Sequence, residues 1–443
     1  MNIQHIVVIF HENVSFDHYF GTYPTALNLP GETPFTALPG TLAVKGLWQN
    51  LLPKNPDFTN NRSGNGAASP FPLPPLNAAK ICAKAIMKLS VRVLSRHFVL
   101  ITGFLALGVG CRTPGHDKPI GEVVAIKAPL GLPPVPIPAD NPPTAQTIAL
   151  GRKLFYDPRL SKNNTVSCAS CHNPNIGFTD GLAIARGIGG LIGKRNAPTL
   201  LNAAYSPVQF WDGRAASLET QSAFPISDPV EMNQPHDVFV GKIRRDPTYK
   251  AEFAQAFGPG TITLGLIEKS LASFERTLLS GNSPFDQYQY GGNQQALTPA
   301  AIRGLAIFKD PNRGNCAVCH TINDHYALFT DGKFHNTGAG VNGEGDFSDL
   351  GRFGQTKIQA DKGEFKTPTL RNVALSAPYM HDGSLKTLND VVDFYAGGGN
   401  SNPYLDKDMK SLHLSAQDRA DLVAFLESLT GQMPKNAGPP GKE

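Results

Sequence analysis

The amino-acid sequence predicts a mainly α-helical body made of one small unit written twice, preceded by a truncated α/β fragment and a signal segment. Three observations carry this. A Cys-x-x-Cys-His pattern occurs twice, as Cys168-Ala169-Ser170-Cys171-His172 and Cys316-Ala317-Val318-Cys319-His320. Each follows a short stretch with apolar residues at helical spacing, Ala149-Leu150-Gly151-Arg152-Lys153-Leu154-Phe155 and Ile302-Arg303-Gly304-Leu305-Ala306-Ile307-Phe308. A further helix is expected near the end, where Ser415 and Asp418 form a capping-box signature. There Leu422, Phe425, Leu426 and Leu429 share one face before Gly431.

A chain of 443 residues is long enough for several domains with sizeable cores. Its net charge of +4 is mildly basic, and no Lys/Arg run or nucleic-acid motif accompanies it, so no nucleic-acid partner is expected. Residues 3–10 form an apolar, β-branched run that reads as a strand. His11-Glu12-Asn13-Val14-Ser15-Phe16-Asp17-His18-Tyr19-Phe20 follows. This opening resembles the phosphoesterase family that includes bacterial phosphatidylcholine-type phospholipases C and acid phosphatases. The resemblance implies metal binding by Glu12 and Asn13. Nothing downstream resembles that family's remaining ligands or nucleophile, so residues 1–86 are read as a truncated fragment. No phosphatase activity is expected from it, and metal-dependent ester hydrolysis by this chain would refute that.

Residues 87–111 read as an internal signal segment. Met87-Lys88-Leu89-Ser90-Val91-Arg92 is a basic start, residues 98–110 are an apolar run, and Gly110-Cys111 leads into polar Arg112-Thr113-Pro114. The run is shorter than the about 20 residues of a membrane span. Cys111 resembles the acylated cysteine of a bacterial lipoprotein, which would supply a lipid anchor. Gly108 stands where Leu is usual, so ordinary cleavage nearby is the alternative. Residues 112–146 follow as a linker, with Pro129, Pro133, Pro134, Pro136, Pro138, Pro142 and Pro143 favouring extended geometry.

The repeated Cys-x-x-Cys-His stretch is the attachment pattern of c-type haem. Cys168 and Cys171, then Cys316 and Cys319, would form thioethers to the vinyl groups. His172 and His320 would bind iron from the proximal face. Two Cys-x-x-Cys pairs could alternatively build a zinc knot, but such pairs usually lie about 15–20 residues apart. Only Cys82 and Cys111 fall outside the motifs. Helix, attachment loop and closing helix predict two cytochrome c-like haem domains in tandem, at 147–298 and 299–435. Haem attachment of this kind takes place outside the bacterial cytoplasm, so a periplasmic location is expected.

Further motifs identify the body. They are Asn196-Ala197-Pro198-Thr199-Leu200-Leu201-Asn202, Phe210-Trp211-Asp212-Gly213-Arg214, Phe274-Glu275-Arg276-Thr277, Thr367-Pro368-Thr369-Leu370-Arg371-Asn372 and Ala377-Pro378-Tyr379-Met380-His381-Asp382-Gly383. In this order they resemble the bacterial di-haem cytochrome c peroxidases, including the methylamine-utilisation (MauG-type) branch. The resemblance implies a peroxidatic first haem and an electron-receiving second haem. It implies that Glu231 is the acid–base residue, Gln221 its companion, and Trp211 the ring between the haems, while Phe210 packs. Many members block the first iron with a histidine on the following loop. Here that loop reads Gly187-Ile188-Gly189-Gly190, so an open iron position is expected.

The far ligand of the second iron is a Met in the peroxidase branch, fourteen positions after the His of the His-Asp-Gly motif. Counting from His381, that position is Tyr395. Tyrosine there matches the methylamine-utilisation branch, and an anionic oxygen ligand lowers the iron potential where Met raises it. Met380 is the rival ligand. A calcium ion between the domains is also implied, held by the Asn196 side chain and the carbonyls of Ser376 and Pro378. A small cytochrome c or cupredoxin is the implied electron donor, hydrogen peroxide the substrate, and a homodimer is allowed. The expected function is a periplasmic peroxidase. The alternatives are a MauG-like oxidase acting on a partner protein and a non-enzymatic di-haem electron carrier.

Overall fold

The computed structural model describes residues 117–441. The phosphoesterase-like fragment, the signal segment and Cys111 lie outside them. The described chain is mainly helical, with one two-stranded antiparallel ribbon formed by β1 (Phe334–His335) and β2 (Phe365–Lys366).

The first half contains α1 (Ala145–Tyr156), α2 (Cys168–Cys171), α3 (Leu218–Gln221), α4 (Ala223–Ser227), α5 (His236–Arg245), α6 (Pro247–Phe257) and α7 (Leu264–Glu275). Then come α8 (Pro284–Gln289), α9 (Pro299–Lys309), α10 (Phe353–Thr356), α11 (Leu388–Ala396) and α12 (Ala416–Glu427). The helix starts follow from the sequence. Thr144, Thr298, Thr387 and Ser415 each cap an N-terminus with a side-chain oxygen. Ser415 and Asp418 form the expected reciprocal capping box. α12 stops at Glu427, so Leu429 lies past the helix whose face it was expected to share, although it is buried.

Each half is built on one helix pair. α1 packs against α7, and α9 against α12. Both pairs cross at a glycine. A Cβ on Gly151 would meet the Ser270 carbonyl oxygen at 1.9 Å, and one on Gly304 would meet the Asp421 carbonyl oxygen at 2.0 Å. Around these crossings lie two apolar cores. Leu154, Phe155, Tyr249, Phe257 and Phe274 fill the first. Phe308, Phe329, Leu388 and Phe425 fill the second, joined by Phe285 of α8.

The loops repeat too. Asn202 and Asn372 both take left-handed φ (64° and 60°) and donate to the carbonyls of Leu278 and Leu429. Phe210 and Met380 sit at matching turns with φ of 68° and 70°. The halves then meet reciprocally: Asn196 N donates to His381 O, and Lys366 N to Trp211 O, both at 2.8 Å. Such exchange of equivalent contacts is the mark of a two-fold relation.

Residues 117–143, expected as a linker, form a strap docked on both halves. Ile120 N donates to Ala256 O, and Leu130 O accepts from Asn282 N. Gly131 O accepts from Ala327 N and from Arg371 Nη2. Proline removes backbone donors but keeps every carbonyl, so this segment binds largely as an acceptor.

Candidate functional site

One cavity of about 1320 Å³ runs between the halves. Cys171 and His172 line it on one side, and Cys316, Cys319 and His320 on the other. The first motif forms the short helix α2, with His172 as its C-cap, and the second a single 3-10 turn at Cys316–Val318. Each histidine is held the same way. His172 Nδ1 lies 3.1 Å from the Phe178 carbonyl oxygen, and His320 Nδ1 lies 2.8 Å from that of Phe329. Phe178 and Phe329 take matching left-handed φ of 58° and 51°, which aims those carbonyls. Nδ1 therefore carries the proton and Nε2 keeps its lone pair for a metal. Burial also lowers the pKa of both imidazoles and keeps them neutral.

These surroundings fit haem and not zinc. Burial pushes the thiols of Cys171 and Cys316 up to about 12, so they are not the thiolates a zinc knot needs. Among the described residues no group of three or more His, Cys, Asp or Glu side chains could hold a metal ion. The two cysteine pairs serve two places in one large cavity.

Glu231 and Gln221 line the same cavity. Burial, then the neighbouring Asp228 charge, raises the Glu231 pKa, opposed by Arg214. The loop after the first motif packs on this glutamate: Ile188 N donates to Glu231 O at 2.7 Å. A Cβ at Gly187 would strike the Val230 carbonyl at 2.1 Å, so glycine permits this approach. Trp211 reaches across the midline. Its Nε1 donates to Asn196 O at 3.0 Å, and its ring meets that of His381 edge-on at 6.5 Å. Arg195 joins Asp212 to Asp349, both at 2.7 Å, and so ties this segment to the second half. Phe210 packs beneath the Arg214 guanidinium, 3.5 Å from its ring centre.

Near the second attachment motif, Tyr395 lies on the last turn of α11 and faces the cavity. Burial raises its pKa, with the nearby Cys319 and Cys316 adding to the effect. Met380 also lines the cavity. Asn196, Ser376 and Pro378 line it as well, and the Asn196 amide donates to Leu182 O, which leaves Oδ1 as an acceptor.

Three cavity residues escaped the sequence reading. Glu275 is buried, its Oε2 has no partner, and burial raises its pKa to about 8. Lys366 has its amine held down to about 8 by burial. His335 sits between Asp331 and Asp406. Glu275 belongs to the Phe274-Glu275-Arg276-Thr277 motif, but nothing local in the sequence marks it as buried.

A duplicated helical unit with two haem-attachment loops in one cavity, and a buried acid beside the first, defines a di-haem c-type oxidoreductase. A family model described as di-haem cytochrome c peroxidase matches residues 145–295, and one for cytochrome c matches 301–430. A phosphoesterase family model matches residues 3–69. The methylamine utilization protein MauG of Methylorubrum extorquens is 41% identical over 73% of this chain and 89% of its own length. The cytochrome c551 peroxidase of Pseudomonas aeruginosa is 37% identical over 67% of this chain and 82% of its own. The solved structure of a MauG-like protein associated with microbial copper homeostasis superposes with a TM-score of 0.62. It is 33% identical and covers 69% of this chain and 95% of that one. The chain belongs to the di-haem cytochrome c peroxidase family; it carries two haem c groups and is an oxidoreductase of peroxidase type.

Proposed function

We propose that this chain is a periplasmic peroxidase that reduces hydrogen peroxide to two waters, taking two electrons from a small cytochrome c or cupredoxin and two protons from solvent. The carrying observation is Glu231, a carboxyl of raised pKa in the cavity that holds His172. A haem held by His172 would supply the redox chemistry of peroxide reduction. The chain supplies the proton chemistry. Glu231 accepts the first proton of peroxide and returns it to the leaving oxygen, and a raised pKa makes it a stronger base than an ordinary carboxylate. Gln221 orients the peroxide by hydrogen bonding, and the loop at residues 187–190 holds the Glu231 backbone without bringing in an imidazole. Trp211, with an edge on His381, supplies the aromatic path between the two halves. Asn196 Oδ1 and the carbonyls of Ser376 and Pro378 would hold a calcium ion, a hard cation that suits an all-oxygen set.

Tyr395 supports a second reading, a MauG-like oxidase that modifies side chains of a partner protein. An oxygen ligand at the second iron lowers its potential. Stopped-flow spectroscopy separates the readings. The diferric holoprotein is mixed with stoichiometric peroxide and then with ferrocytochrome c. Reaction without pre-reduction and fast donor oxidation is expected of the peroxidase. A fast first phase with slow donor oxidation selects the oxidase, and no reaction sinks both.

A further inference from the structure

The reciprocal meeting of the halves creates two equivalent notches, and they are furnished differently. In the repeat, Asn196 corresponds to Lys366, since Thr199 and Thr369, three positions on, make matching hydrogen bonds to the carbonyls of Gly177 and Leu328. Ser376 corresponds to Ser206 and Pro378 to Val208, counting back from the matching turns at Met380 and Phe210. The notch assigned to calcium combines Asn196 of the first half with Ser376 and Pro378 of the second. Its mate combines Lys366 of the second half with Ser206 and Val208 of the first.

The mate notch already contains a cation. Lys366 Nζ donates to Ser206 Oγ at 2.7 Å, and Ser206 Oγ donates to Val208 O at 2.7 Å. No carboxylate pairs with this amine among the hydrogen bonds and ion pairs of the described residues. An unpaired buried ammonium is costly unless oxygen dipoles surround it. The side chain also starts from a fixed point, because Lys366 N donates to Trp211 O, just as Asn196 N donates to His381 O on the other side.

We propose that the Lys366 ammonium is a covalently held cation in the mate of the calcium notch, giving the interface a tethered positive charge at neutral pH where its counterpart takes a metal ion. The mate assignment rests on the calcium reading. Lys366 is a positioning residue: it fastens the Trp211 segment to the second half and places charge in the cavity shared by both haems. The repeat thus kept one notch for an exchangeable ion and tethered the cation of the other to the chain.

Three measurements on holoprotein test this. Metal analysis of the wild type after dialysis is expected to give one calcium per chain. In Asn196→Lys, with a lysine in both notches, calcium should be absent and the thermal midpoint should no longer fall on chelation, as it does in the wild type. Retained calcium or retained chelator sensitivity overturns the mate assignment. In Lys366→Met at saturating calcium, the midpoint potential of at least one haem should fall, because a positive charge that favours the added electron is gone, and Lys366→Arg should restore it. Unchanged potentials reduce Lys366 to packing and overturn the proposal. Should Lys366→Met not fold, Lys366→Gln carries the same potential measurement, with the same fall expected and unchanged potentials overturning the proposal. A calcium-free wild type sinks the calcium reading and the mate assignment with it, while the Lys366→Met potentials still judge the tethered charge separately.

Discussion

Glu231 and Glu275 share one cavity, and burial raises the pKa of both. Their consequences differ. In the proposed role as base, Glu231 would work only when ionised, so peroxide turnover should fall as pH drops through its raised pKa. Glu231→Gln should lose about 10²–10⁴ of the rate and flatten that acid limb while the haem spectrum is unchanged. A retained limb would move the role to another group. Glu275 bears on stability. Its pKa rises from 4.5 unfolded to about 8 folded, so the folded state binds the extra proton between those values. The stability this gives is full at low pH and lost as pH rises toward 8. Glu275→Gln should therefore gain thermal midpoint over the wild type at about pH 9 and little at about pH 5, in melts run at both. An equal difference at both would show that Glu275 does not titrate in the fold. Glu231 was singled out in the sequence by the family resemblance, and it does line the cavity. Glu275 was not, because its character comes from the packing of α7 and from no residue near it in the chain.

At the level of elements, the helices were legible because their signals are local. Apolar spacing located α1, α9 and α12, and threonine or serine before each supplied the cap. The crossings depend on contacts between distant segments. Gly151 and Gly304 look like ordinary interior glycines, yet a methyl on either would overlap a carbonyl of the facing helix. Alanine normally favours a helix over glycine by about 1 kcal/mol. Here overpacking should outweigh that gain, and Gly151→Ala or Gly304→Ala should each cost about 1–3 kcal/mol in denaturant unfolding. A stabilised variant would mean that the helix pair can spread without penalty. The repetition of loops around Asn202 and Asn372 was only partly visible, since their motifs share few residues and the likeness lies in backbone angles.

Across the whole molecule, the strap had the composition of a linker, and only the fold shows what it grips. Arg371 and Asp286 are both buried, pair at 2.8 Å, and meet the strap at Gly131. Nothing in the sequence joins these residues. Removing one member of such a pair leaves a buried charge uncompensated, so Asp286→Ala should cost about 3–5 kcal/mol, read from chemical unfolding of the holoprotein. Loss below 1 kcal/mol would show that water reaches Arg371 once its partner is gone. The same lock sets an order of events. Gly131 and Arg371 are separated by 240 residues, so during synthesis the strap emerges long before the arginine that holds it. Contacts so distant in sequence close slowly. The strap can meet Ala256 and Asn282 as soon as the first half has formed, whereas its grip on the second half closes only when Arg371 arrives.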